Sequence, residues 1–136
     1  MSILRLKLPT DPRWVNVVET NIGEILSDHA WCEQKAASNA ISITVGFPQY
    51  PDLVDEMLSI AKEELSHFEL VHQKIKERGF KLGFERKDDY VNALYKFMRK
   101  GHRKEIVLID RLLFAAMIEA RSCERFKLLA SKIKDQ

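Results

Sequence analysis

Between Asp52 and Arg78 apolar side chains recur through Leu53, Met57, Ile60, Val71 and Ile75. Intervals of three and four residues are the rhythm of an α-helix with one inward face. A carboxylate and an imidazole, Glu64 and His67, are set into that stripe within Glu63-Glu64-Leu65-Ser66-His67. Three residues apart on a helix, they share one face about a turn from each other. An unpaired charge aimed at a core is costly, and a metal ion is the most economical partner for a carboxylate beside an imidazole. A lone Glu-x-x-His arises by chance in many helices, so its company in the rest of the chain decides its meaning.

A second long helix is expected upstream, from near Arg13 to about Val45, where Gly46-Phe47-Pro48 breaks it. Its inward stripe reads Ile22, Leu26, His29, Glu33, Ala36, Ala37, Ala40 and Thr44, with the carboxylate of Glu33 at its centre. The alanines would let another helix or a ligand approach closely, although alanine is also simply a good helix former. Asp52 is the expected N-cap of the following helix and Gly79 its C-cap. Phe80 to Arg86 reads as irregular or extended, and Lys87 to Lys100 as a shorter helix with Tyr90, Leu94, Phe97 and Met98 on one side.

A third long helix is expected from about Arg103 to Lys132. One row holds Leu108, Leu112, Ala115, Ala116, Glu119, Cys123 and Phe126; another holds Leu113, Met117, Ala120 and Leu128, with Glu124. Being apolar over more than half its circumference, this helix should be buried. At the start of the chain Leu4, Leu6 and Leu8 alternate with Arg5 and Lys7, and Pro9 and Pro12 discourage a helix, so residues 1–12 read as an extended arm. No strand pattern of any strength follows. The expected fold is all-α: a helical bundle domain over residues 13–136, with three long helices and a short connecting one.

Composition excludes several classes. Lys plus Arg number 22 against 20 Asp plus Glu, a formal charge of +2, too balanced to announce a nucleic-acid binder by net charge. No apolar run approaches the roughly 20 residues of a membrane span, and the first twelve residues lack the apolar core of a secretory signal. Two cysteines, Cys32 and Cys123, make no disulfide scaffold, so a cytoplasmic location is expected. Both are expected to pack as small apolar residues.

Three amphipathic helices thus each carry an acidic residue in mid-stripe: Glu33, Glu64 with His67, and Glu119. In an antiparallel bundle these can meet at one level. The di-iron carboxylate proteins are built so, with a lone Glu from each of two helices and a Glu-x-x-His from each of the other two. Three blocks of this chain, Asp28 to Ala37, Glu63 to Phe68 and Ile118 to Phe126, resemble the signature blocks of the tRNA hydroxylase family MiaE. The resemblance runs from about Trp14 to Ala130. It implies a ferritin-like bundle, a centre of two iron ions with dioxygen as co-substrate, and a tRNA partner. The reaction it implies is hydroxylation of the isopentenyl side chain of methylthio-isopentenyl-adenosine beside the anticodon. By the same resemblance Glu33, Glu64, His67 and Glu119 are the metal ligands, an electron-donor protein is a further partner, and no membrane is involved.

The family's fourth long helix, with a Glu-x-x-His of its own, has no counterpart before Gln136. A C-terminally truncated bundle is therefore expected, with an open apolar groove that favours a homodimer and a metal site that is incomplete in one chain.

Asp28 and His29, one turn before Glu33, are candidates to hydrogen-bond a ligand. Arg121 and Glu124 are candidates for the same outer layer, or for a local ion pair with each other, and His72 is expected to be solvated. Arg99, Lys100, Arg103 and Lys104 form a basic run able to hold tRNA phosphates by charge; a plain exposed helix connection is the simpler reading. Two other functions share these residues: a ferritin- or rubrerythrin-like protein handling iron or peroxide, and a metal-free helical interaction protein.

Overall fold

The computed structural model describes residues 9–132, and every regular element among them is α-helical: α1 (Trp14–Thr20), α2 (Ile22–Gly46), α3 (Pro51–Glu77), α4 (Asp89–Tyr95) and α5 (Lys104–Lys132). No helix among them is long and apolar enough to cross a membrane. The leucines of the expected arm, Leu4, Leu6 and Leu8, lie outside the described residues. The described residues divide into two compact units, residues 21–87 and residues 9–20 with 88–132.

In the first unit α2 and α3 pack as an αα-hairpin joined by the turn at Phe47–Tyr50. Their seam is made of small and medium side chains: Ala30, Ala37, Ala40, Ile43 and Phe47 from α2 and its end meet Met57, Ala61 and Ile75 from α3. Alanines on such a seam let two helices approach at the short end of the usual 8–10 Å spacing. The stripe on α3 runs through Ala61, while Ile60 is 36% exposed, a shift of one residue around the helix from the expected face. The cap position of α3 is Tyr50, with Pro51 at the first helical position; Asp52, the expected cap, lies inside the first turn instead.

The far end of α3 closes as a Schellman motif. Gly79 N–H donates to the Lys76 carbonyl and Phe80 N–H to the Ile75 carbonyl, both at 3.0 Å. Gly79 has φ +75°, and a Cβ added there would meet no atom within 4 Å, so space is not what requires glycine. Left-handed backbone is. Gly79→Ala is therefore expected to destabilise the chain by roughly 1–2 kcal/mol, read as a lowered midpoint in urea unfolding with unchanged slope.

In the second unit the short helices α1 and α4 each pack on α5. The single helix expected from Arg13 to Val45 is broken at Asn21, whose φ of −136° is not helical. Val15, Val17, Val18 and Thr20 are β-branched, and Asn16 and Asn21 accompany them, all weak helix formers. Thr20 Oγ1 donates back to the Asn16 and Val17 carbonyls at 3.1 Å, satisfying the end of α1.

The helix α4 starts on an N-cap, Asp88, which accepts from the backbone N–H of Tyr90 and Val91. It stops at Tyr95, well short of the expected Lys100, leaving Phe97 83% exposed. Beyond it Arg99 is caught by Asp110 through its backbone N–H at 2.9 Å, Nε at 3.0 Å and Nη2 at 2.6 Å. Those bonds hold the Asp110 carboxyl down to about 2. None of the described side chains of α5 is fully buried, contrary to the expectation from its wide apolar surface. Cation–ring contacts join it to α1 and α4: Arg125 lies 6.0 Å from the Trp14 ring and 5.9 Å from the Tyr90 ring, and Arg121 lies 5.5 Å from Tyr90.

Candidate metal centre

The hairpin itself dictates where the acidic residues meet. Glu33 stands fourteen residues before Phe47, and Glu64 fourteen residues after Tyr50. Two antiparallel helices leaving one turn rise by equal amounts, so these carboxylates reach the same level on the facing stripes. One ligand atom each from Glu33, Glu64 and His67 all lie within 4.8 Å of one another. His67 Nδ1 is 3.6 Å from Glu33 Oε2 and 3.7 Å from Glu64 Oε2. The Glu33 and Glu64 side chains are 17% and 12% exposed and that of His67 is 45% exposed. The group is thus sunk in the hairpin on its carboxylate side and open on its imidazole side.

This donor set fits a divalent transition metal. Two carboxylate oxygens and one imidazole nitrogen on rigid helices form the 2-carboxylate, 1-histidine counterpart of sites that hold ferrous iron, manganese or zinc. Two half-buried carboxylates this close repel each other unless a cation lies between them.

His29, one turn before Glu33, places Nε2 3.3 Å from Glu33 Oε1. Burial, and after it the neighbouring His67, holds its imidazole below the usual histidine range. A neutral ring with its proton on Nε2 would orient Glu33 by donating to it. Asp28, expected beside it, turns away: it accepts from Arg86 Nε at 3.0 Å and Nη2 at 2.5 Å. A carboxylate outside the inward stripe is nearer to a loop arginine than to a ligand.

The other expected residues lie in the second unit. Glu119 is exposed, as are Ala116, Cys123 and Phe126 on the same row of α5. A helix apolar over most of its circumference offers no single period by which to pick its buried face. Glu124 is bound by Arg121 Nη1 at 2.7 Å and by Thr10 Oγ1 at 3.0 Å, which makes the local ion pair the observed arrangement. Of the basic run, Arg99 is engaged by Asp110, and Lys100, Arg103 and Lys104 are exposed. Cys32 and Cys123 are in no disulfide among the described residues and are exposed rather than packed as small apolar residues; exposure at Cys32 follows from its place off the stripe of Glu33.

An aromatic row beside the cluster escapes the sequence reasoning above. The Trp31 and Phe68 rings lie 5.9 Å apart, and Phe68 stacks on His72 at 6.2 Å with 10° between planes. His72 is therefore half-buried, with Nδ1 shielded and without a hydrogen-bond partner, rather than solvated. The signal was present as the i, i+4 pair Phe68 and His72.

A family model described as tRNA-(MS[2]IO[6]A)-hydroxylase (MiaE) matches residues 2–136. The chain belongs to the MiaE family. It is 35% identical to the tRNA 2-(methylsulfanyl)-N(6)-isopentenyladenosine(37) hydroxylase of Pseudomonas putida, over 96% of this chain and 63% of the relative. With the protein of the same description from Salmonella typhimurium it shares 27% identity, over 92% of this chain and 64% of that one. It therefore spans just under two thirds of the length of these MiaE relatives. Among solved structures it is similar to Protein 43 with aldehyde deformylating oxygenase activity from Synechococcus, with a TM-score of 0.88 and 38% identity, over 96% of this chain and 64% of that one. The expected fold class, an all-α ferritin-like protein, is the observed one.

Proposed function

We propose that this chain is the metal-holding part of a dioxygen-dependent MiaE-type hydroxylase. Its substrate would be the isopentenyl side chain of methylthio-isopentenyl-adenosine, next to the tRNA anticodon. The observation that carries this reading is the convergence of Glu33, Glu64 and His67 within 4.8 Å in a chain of this family. Iron bound there, two ions in the full family centre, supplies the activation of dioxygen that no side chain can provide.

The protein's own contribution is positioning. Glu33 and Glu64 neutralise cationic charge, and His29 fixes the Glu33 carboxylate. His67 stands at the open side, where a substrate would enter. The role of Glu119 rests on the resemblance of its sequence block and is to be tested separately from the other three.

The reaction balances as R–H + O2 + 2 electrons + 2 protons giving R–OH + H2O, and the two electrons are proposed to come from an electron-donor protein as partner. Lys100, Arg103 and Lys104 are proposed to hold phosphates of the tRNA, and a cytoplasmic location goes with a tRNA substrate. A second reading has one specific observation behind it: the 38% identical structure is described by aldehyde deformylating oxygenase activity.

The two are separated by supplying iron-loaded protein, a chemical reductant and 18O2 to tRNA bearing the modified nucleoside and, in parallel, to an aliphatic aldehyde. The tRNA reading expects one 18O atom in the nucleoside, seen by mass spectrometry. Formate from the aldehyde with an unaltered nucleoside would move the assignment to the second reading.

A further inference from the structure

The loop after α3 is held to α2 by contacts on successive turns. The Phe80 ring fills the place of a side chain at Gly23, where a Cβ would come within 3.0 Å of it. Gly83 N–H donates to Ser27 Oγ at 2.9 Å, and the Gly83 carbonyl accepts from Trp31 Nε1 at 2.8 Å. Glu85 pairs with Lys35. Arg86 forks to Asp28 and reaches Glu24 at 2.9 Å. Residues 83, 85 and 86 are thus all fixed, yet Phe84 between them is 98% exposed, more than any other large apolar side chain among the described residues.

A mobile loop would expose a phenylalanine without consequence. A loop tied on both sides of it holds the ring ready in water, and such preorganisation lowers the cost of binding. The surrounding charge indicates what kind of partner it suits. Of the six cations from Lys74 to Lys87, Lys74 pairs with Glu77 and Arg86 with Asp28 and Glu24, and Lys76, Arg78 and Lys81 stand outside those pairs. Arg78 and Lys81 are exposed. A presented aromatic ring in a basic segment is the pairing that takes single-stranded nucleic acid, bases on the ring and phosphates on the cations.

We infer that Phe84 is a stacking platform for an unpaired nucleobase of the RNA substrate, with Arg78 and Lys81 taking adjoining phosphates. The inference rests on the proposed action on tRNA and assigns to this loop, not to the metal-binding carboxylates, the grip on the anticodon loop. Nothing covalent happens there.

The test is fluorescence anisotropy of the full chain with a labelled anticodon stem-loop and with a fully paired duplex of the same stem. Phe84→Ala is expected to weaken the stem-loop about tenfold, the size of one base stacked on an aromatic ring, and to leave duplex binding unchanged. Phe84→Trp is expected to keep wild-type affinity, with its added indole emission quenched on binding the stem-loop. Equal affinity of wild type and Phe84→Ala for the stem-loop overturns the inference while leaving the tRNA reading intact. Absence of stem-loop binding by the wild type overturns both. Conversion of a dimer to a monomer by Phe84→Ala in sedimentation would assign the ring to a second copy of the chain and also overturn it.

Discussion

Glu64→Ala is expected to bring the metal content of the ferrous-loaded protein to background, with a loss of affinity beyond about a hundredfold. That figure follows from scale: removing a group that merely supports a ligand commonly costs 10–100-fold in metal affinity, and Glu64 is itself one of three donors within 4.8 Å. The same variant should leave the metal-free chain at least as stable as the wild type. In the metal-free state Glu64 faces Glu33 across the hairpin, so its removal relieves a repulsion between two carboxylates and puts a better helix former in α3. Elemental analysis after loading and thermal melting of the stripped protein read the two halves. A purely structural Glu64 would show the opposite pair, metal content unchanged and a lower melting temperature. Glu119→Ala, measured alongside, reports whether the resemblance of its block extends to metal holding.

Ile75→Ala is expected to destabilise the chain by about 2–5 kcal/mol, the usual range for truncating a buried aliphatic side chain to alanine. Ile75 is 0% exposed and lies on the seam of the hairpin, close to the C-terminal end of α3. Urea unfolding reads this as a fall in midpoint. An effect below about 1 kcal/mol, the ordinary consequence of a surface substitution, would mean that α2 and α3 do not pack as described. The metal ligands lie on the same two helices, so this packing is also what holds them at one level.

The carboxylate cluster of the hairpin was legible in the sequence for a geometric reason. A short turn between two continuous helices fixes which residues face each other, and Glu33 and Glu64 are equidistant from it. Gly79 was legible because left-handed backbone selects glycine. The break at Asn21 was not, since helical periodicity continues through it and only the weak propensities of Val17, Val18 and Thr20 oppose a continuous helix. The exposure of α5 was not, because a helix apolar on so many sides reads as buried. The pairing of Asp28 with Arg86 spans 58 residues, a distance over which no local rule operates. Phe84 looks in sequence like any loop aromatic; only the bonds of its neighbours, Gly83 and Arg86, reveal that the loop around it is tied down.

The most direct test of the metal centre is anomalous diffraction from crystals of this chain grown with ferrous iron or zinc. The expected result is a peak at the metal's absorption edge bonded to Glu33, Glu64 and His67, at about 2.0–2.2 Å from their oxygen and nitrogen atoms. A metal bound elsewhere on the chain, with these three side chains unligated, would contradict it.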